Sequence, residues 1–166
     1  MSGEWPDFGP SRNNRCYAQI KLRGLFVEPL LTSRWTDRTV ANRHPTALRL
    51  LVVDDYRVGA DAITAVLLSE GYDVRCVLSG DAALKLIDHW IPDIALLDIN
   101  MPGMDGFELA RRLRELHSMR DTALVAFTSQ DERVTRSAGV QVGFDAYCQK
   151  TGTTGVLLRL LVRITH

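Results

Sequence analysis

The sequence predicts an α/β fold, a doubly wound parallel sheet with helices on both faces. From residue 47 onward, strand-like and helix-like segments alternate five times. The clearest strand-like segments are continuous apolar runs, as in strands buried on both faces. The helix-like segments between them are long enough to return the chain for a parallel crossover.

Each element has its own signal. "ALRLLVVDD", residues 47–55, is an apolar run that ends in two acids and reads as the first strand. "VGADAITAVLLSEG" has apolar residues at helical spacing and a stop at Gly71. "YDVRCVL" is the second strand, "GDAALKLIDHW" the second helix and "PDIALLDI" the third strand. The third helix, "DGFELARRLREL", starts near Asp105, a residue suited to its N-cap region. "TALVAFT" makes the fourth strand, and "DERVTRSAGVQV" a weaker helix with Gly139 inside it and Gly143 just beyond. "FDAYCQK" is the fifth strand, and "TTGVLLRLLVRI" the last helix.

A chain of 166 residues accommodates one domain plus a tail. Residues 1–46 lack sustained periodicity and contain Pro6, Pro10, Pro29 and Pro45, so they are expected to form a disordered extension ahead of a domain at 47–166. With 46% hydrophobic and 24% charged residues, the composition is that of a soluble globular protein. Twenty basic and twenty acidic residues cancel, which gives no electrostatic reason to expect nucleic-acid or membrane-surface binding. The acidic excess lies in residues 47–166, where sixteen acids face thirteen bases. Cys16, Cys76 and Cys148 are far apart and odd in number, which argues against a disulfide framework or zinc site and for a reducing compartment. No apolar run is long enough for a membrane span, and a cytoplasmic protein is expected.

In parallel sheets of this type, ligands bind beyond the carboxyl ends of the strands. Asp54 and Asp55 follow the first strand, Asp98 the third, Thr128 and Ser129 the fourth, and Lys150 the fifth. Three carboxylates brought close together repel unless a cation joins them, and a hard divalent ion such as Mg²⁺ suits such oxygen donors. Lys150 adds a point charge and Thr128 a hydroxyl for phosphate oxygens. Together these groups match the charge stabilisation that phosphoryl transfer requires, with Asp98 as candidate nucleophile.

The pieces "VVDD", "LLDINMPGMDG", "AFTS" and "YCQK", in this order on alternating elements, make residues 48–164 resemble the receiver domains of two-component response regulators, the CheY-like superfamily. The resemblance implies a flavodoxin-like, five-stranded parallel sheet of order 2-1-3-4-5. It implies that Asp98 accepts phosphate from a phosphohistidine on a sensor histidine kinase or histidine phosphotransfer protein. Asp54, Asp55, Asp98 and the backbone carbonyl of Asn100 would hold Mg²⁺, while Thr128 and Lys150 bind the phosphoryl oxygens. Tyr147 matches an aromatic that turns inward as Thr128 moves, and Asn100 and Gln130 match two positions that influence phosphate lifetime. The chain is expected to be a stand-alone receiver, a signalling acceptor that catalyses only its own phosphorylation and dephosphorylation.

Two departures accompany the resemblance. Thr151 follows Lys150 where the family usually has proline, and glycines weaken the helix at 131–142, on the face that responds to phosphorylation. The "RRLRE" run at 111–115 reads as a solvated helix face, and the widely apolar last helix offers a surface for self-association. A haloacid-dehalogenase-like phosphatase would need an acid two residues after Asp98, where Asn100 stands. A receiver-fold interaction module that takes no phosphate is the other alternative.

Overall fold

A computed structural model of the chain describes residues 31–41, 43–44, 46–150 and 153–165. Residues 1–30, which hold most of the expected extension, and Thr151 lie outside the described residues. The described elements, in chain order, are β1 (Thr32–Arg34), β2 (Arg49–Val53), α1 (Arg57–Ser69), β3 (Asp73–Val77), α2 (Gly80–Ile87) and β4 (Ile94–Leu97). They continue with α3 (Gly106–Glu115), a 3₁₀ turn at His117–Met119, β5 (Ala123–Thr128), α4 (Glu132–Val142), β6 (Ala146–Gln149) and α5 (Gly155–Ile164).

Across the sheet the strands lie in the order β3-β2-β4-β5-β6-β1. Strands β2 to β6 are mutually parallel, whereas β1 runs antiparallel to β6, with Ser33 opposite Tyr147. This corrects the expectation of a five-stranded, wholly parallel sheet: the sheet is mixed and has six strands. The added strand comes from residues expected to be disordered. "TSR" carries no strand pattern of its own, but the outer edge of β6 presents unpaired backbone groups that an extended segment satisfies.

The segment after β1 is fastened by side chains. The Trp35 and Thr36 amides donate to the Asp145 carbonyl. The Asp145 carboxylate, 4% exposed, accepts from the Thr36 hydroxyl at 2.8 Å, Arg38 Nε at 2.9 Å, Arg114 at 2.6 Å and the Leu124 amide at 3.0 Å. Val40 is buried, a contribution of roughly 1.5–3 kcal/mol for a side chain of its class. Arg43 Nε reaches Asp93, another buried carboxylate, at 3.0 Å.

Alternation along the strands builds a core on each side of the sheet. Leu51, Val53, Ala95, Leu97, Leu124, Ala126 and Tyr147 face α2, α3 and α4. Leu50, Val52, Ile94, Leu96, Val125, Ala146 and Cys148 face α1 and α5. The apolar arc of α5 is largely used here, since Val156, Leu157, Leu160, Leu161 and Ile164 are buried, while Val162 is exposed and Leu158 half-buried.

Local capping follows the sequence. Asp105 accepts from the Glu108 amide at 2.8 Å at the start of α3, and Asp131 accepts from the Arg133 amide at 2.8 Å at the start of α4. Helix α4 spans eleven residues, so its glycines do not shorten it. Gly143 is its left-handed C-cap, at φ 96°. Gly139 makes room for Trp35, because a Cβ there would lie 2.3 Å from the indole ring. The "RRLRE" face is also only partly solvated: Arg114 turns inward to the carbonyls of Met119, Thr122 and Gly143 and to Asp145.

Two buried acids make stability depend on alkaline pH. Burial, then the nearby charges of Asp131 and Glu132, pushes the Tyr147 phenol up to about 12 from 10.0, and burial pushes the Cys148 thiol up to about 12 from 9.0. The native chain thus keeps protons that the unfolded chain releases, so this stability is complete below the unfolded values and is lost as pH rises through the folded ones. Denaturant unfolding should show stability falling between the ordinary values and about 12, with Tyr147→Phe removing the part of the slope that begins at 10.0. In the same assay, Asp145→Ala is expected to cost about 3 kcal/mol or more, because it leaves Arg114 and the Leu124 amide without their buried acceptor.

Candidate functional site

Strand register brings the acids together. Val53 lies opposite both Leu97 and Val77, so Asp54 and Asp98 emerge side by side one residue further on. The Asp98 amide donates to the Val53 carbonyl at 2.9 Å, and the Asp54 amide to the Val77 carbonyl at 3.2 Å. Thr128 pairs with Gln149, and the Lys150 amide donates to the Thr128 carbonyl at 2.8 Å. Asp54, Asp98, Thr128 and Lys150 therefore stand at the carboxyl edge of the parallel strands, whereas Tyr147 lies within β6.

One carboxylate oxygen from each of Asp54, Asp55 and Asp98 lies within 4.8 Å of the others. Asp54 and Asp98 are buried and Asp55 is exposed. Lys150 Nζ reaches Asp54 at 2.7 Å and Asp98 at 2.8 Å. The ammonium offsets only part of the negative charge of three carboxylates, so the donor set fits an added hard cation.

The turn residues give the carboxylates their aim. Asp54 Oδ1 accepts from the Tyr56 amide at 3.0 Å, and Asp98 Oδ1 from the Asn100 amide at 3.3 Å. After Asp98, the chain turns back and the Gly106 amide donates to the Ile99 carbonyl at 3.0 Å. A Cβ at Gly106 would fall 2.2 Å from the Asp98 carbonyl oxygen, so α3 starts directly against the backbone that carries the acid.

Thr128 is fully buried, and its hydroxyl accepts from the Gln130 amide at 3.3 Å. Gln130 joins three parts of the rim. Its side-chain amide donates to Asn100 Oδ1 at 2.8 Å, and its carbonyl accepts from the Tyr147 hydroxyl at 2.5 Å. The Tyr147 ring lies in the core with no exposed surface. A cavity of about 370 Å³ opens beside Asp54 and Lys150, walled by Tyr56, Ile63, Val66 and Phe127.

The motifs do not point to Trp35 or Gly106, and they mark Gln130 for phosphate lifetime but not for its bond to Tyr147. Gly106 had a usable signal, since it ends the quoted "LLDINMPGMDG" stretch. Trp35 had none beyond being a tryptophan in a polar tail.

The family model for the response regulator receiver domain matches residues 50–161. Among solved structures, Vibrio cholerae chemotaxis protein CheY4 is 26% identical with a TM-score of 0.69, covering 71% of this chain and 98% of that one. The receiver domain of sensor histidine kinase PA1611 from Pseudomonas aeruginosa, solved with a magnesium ion in its active-site cleft, is 29% identical with a TM-score of 0.65, covering 71% and 97%. The Thermotoga maritima response regulator TrrA, in complex with Mg²⁺ and BeF, is 26% identical with a TM-score of 0.62, covering 70% and 98%. With the model spanning most of the described sheet, and these folds matching over nearly their whole length, the chain belongs to the response regulator receiver domain family.

Proposed function

We propose that this receiver takes a phosphoryl group onto Asp98 from a phosphohistidine of a sensor histidine kinase or phosphotransfer protein, and signals through the resulting change at its surface. The observation that carries this reading is Asp98 at the end of its strand, 2.8 Å from Lys150 and clustered with Asp54 and Asp55. An Asp98 oxygen attacks the phosphorus, the P–N bond to the donor imidazole breaks as the P–O bond forms, and the freed imidazole nitrogen keeps the electron pair. Lys150 then exchanges its bond to Asp98 for one to a phosphoryl oxygen, and the Thr128 hydroxyl turns from Gln130 to donate to another.

Asp54, Asp55, Asp98 and the Asn100 carbonyl would hold Mg²⁺, which when bound neutralises charge on the transferred group. That the Pseudomonas receiver carries magnesium in its active-site cleft supports a magnesium ion at the acidic cluster here. Gln130 and Asn100, hydrogen-bonded to each other across the rim, restrict the approach of hydrolytic water and so bear on the phosphate's lifetime. The apolar cavity beside Lys150 offers a donor protein a seat next to the acceptor. The reading places the protein in the cytoplasm; among the described residues no helix is long and apolar enough to cross a membrane.

Acetyl phosphate with Mg²⁺ should give a retarded band on a Phos-tag gel, and Asp98→Asn should remove it. A band that persists in Asp98→Asn would overturn the assignment. Chelation by EDTA before the phosphodonor is added should abolish the band in the unsubstituted chain, whereas retention would exclude the divalent ion from the reaction.

A further inference from the structure

A path of direct contacts runs from Asp98 to the N-terminal segment. Asp98 holds the Asn100 amide, and Asn100 holds the Gln130 side chain. The Gln130 carbonyl holds the Tyr147 hydroxyl, and the Tyr147 ring stacks on Trp35 with centroids 5.9 Å apart and planes 12° from parallel. Gln130 also donates its amide to Thr128, so its position bears on two of the groups around the acceptor.

Trp35 is only half-buried, yet its setting is specific. Its ring fills the space above Gly139 that a side chain there would occupy. Its Nε1 donates to Glu132 at 2.8 Å, an acid that also takes the Ser33 hydroxyl and Arg136. Phe144 meets the indole edge-on at 6.5 Å. The backbone is held on both sides, by β1 before Trp35 and by Asp145 after it. Trp35 thus stands flat against the ring of Tyr147, whose hydroxyl is held by the Gln130 carbonyl.

We propose that Trp35 is a positioning residue for the phosphoacceptor site, acting through Tyr147 and Gln130. The proposal rests on the phosphoacceptor reading of Asp98. Removing the indole opens space beside Tyr147 and lowers the fraction of molecules in which Gln130 and Thr128 are correctly placed. A ligand that requires that arrangement then binds more weakly in proportion. Coupling is reciprocal, so occupation of the acceptor site must also be felt at Trp35.

The test uses the full chain labelled with 5-fluorotryptophan and titrated with beryllofluoride and Mg²⁺. The three indoles, Trp5, Trp35 and Trp90, are assigned in fluorine NMR spectra by single Trp→Phe variants. Saturation should shift the Trp35 resonance, and Trp35→Ala should weaken beryllofluoride binding by about fivefold or more. Trp35→Phe, which keeps a stacked ring but loses the bond to Glu132, should recover most of that loss, an outcome that general destabilisation would not produce. An unmoved Trp35 resonance in a chain that binds beryllofluoride overturns the proposal and leaves the phosphoacceptor reading intact, and this measurement decides even if Trp35→Ala fails to fold. Unchanged affinity in a folded Trp35→Ala overturns it equally. Failure of the unsubstituted chain to bind overturns the phosphoacceptor reading and the proposal with it.

Discussion

Two buried carboxylates, Asp54 and Asp98, end neighbouring strands and are bridged by a single ammonium group from Lys150. Removing one member of a buried ion pair leaves the remaining charge uncompensated, at a cost of roughly 3–5 kcal/mol. The lysine must therefore arrive where the acids are, and the sheet governs its arrival. Strand β6 is held by β5 on one side and β1 on the other, with Lys150 one residue past its end. The short antiparallel strand, although far in sequence from the acids, is thus part of what keeps their counter-charge in place.

Both ends of the sheet carry buried aspartates, and the balance of charge distinguishes their roles. At the amino ends of β4 and β6, Asp93 meets Arg43, and Asp145 meets Arg38 and Arg114, with backbone amides completing their bonds. Those acids are matched, and they hold loops and the N-terminal segment in position. At the carboxyl ends, three acids share one lysine. An incompletely compensated cluster favours the accommodation of a further cation there. Burial alone would not have separated the two sets.

The parallel core and its acidic edge were legible because their signals are local. Continuous apolar runs mark β2, β4 and β5, and the residue following each run falls at the same edge of the sheet by topology. Strand β1 was not legible, since "TSR" has neither length nor alternation and forms because β6 and Asp145 offer it partners more than a hundred residues away. Gly139 misled for the same reason: its cost to an isolated helix is a local property, whereas the indole it accommodates belongs to another part of the chain. Arg114 looked like one of several solvated arginines, yet its bonds to the Thr122 carbonyl and to Asp145 turn it inward. The site's outline was thus readable from motifs, but the contacts that brace it were not.

The edge position of β1 has a consequence for how the protein is handled as well as how it works. A version trimmed to begin at β2 would keep every motif and lose the cover on β6. Its backbone would present a row of open donors and acceptors beside the bared ring of Tyr147, a template on which another extended chain can add. Such a trimmed receiver would carry an edge open to strand addition, and an association seen in it would report that exposed edge.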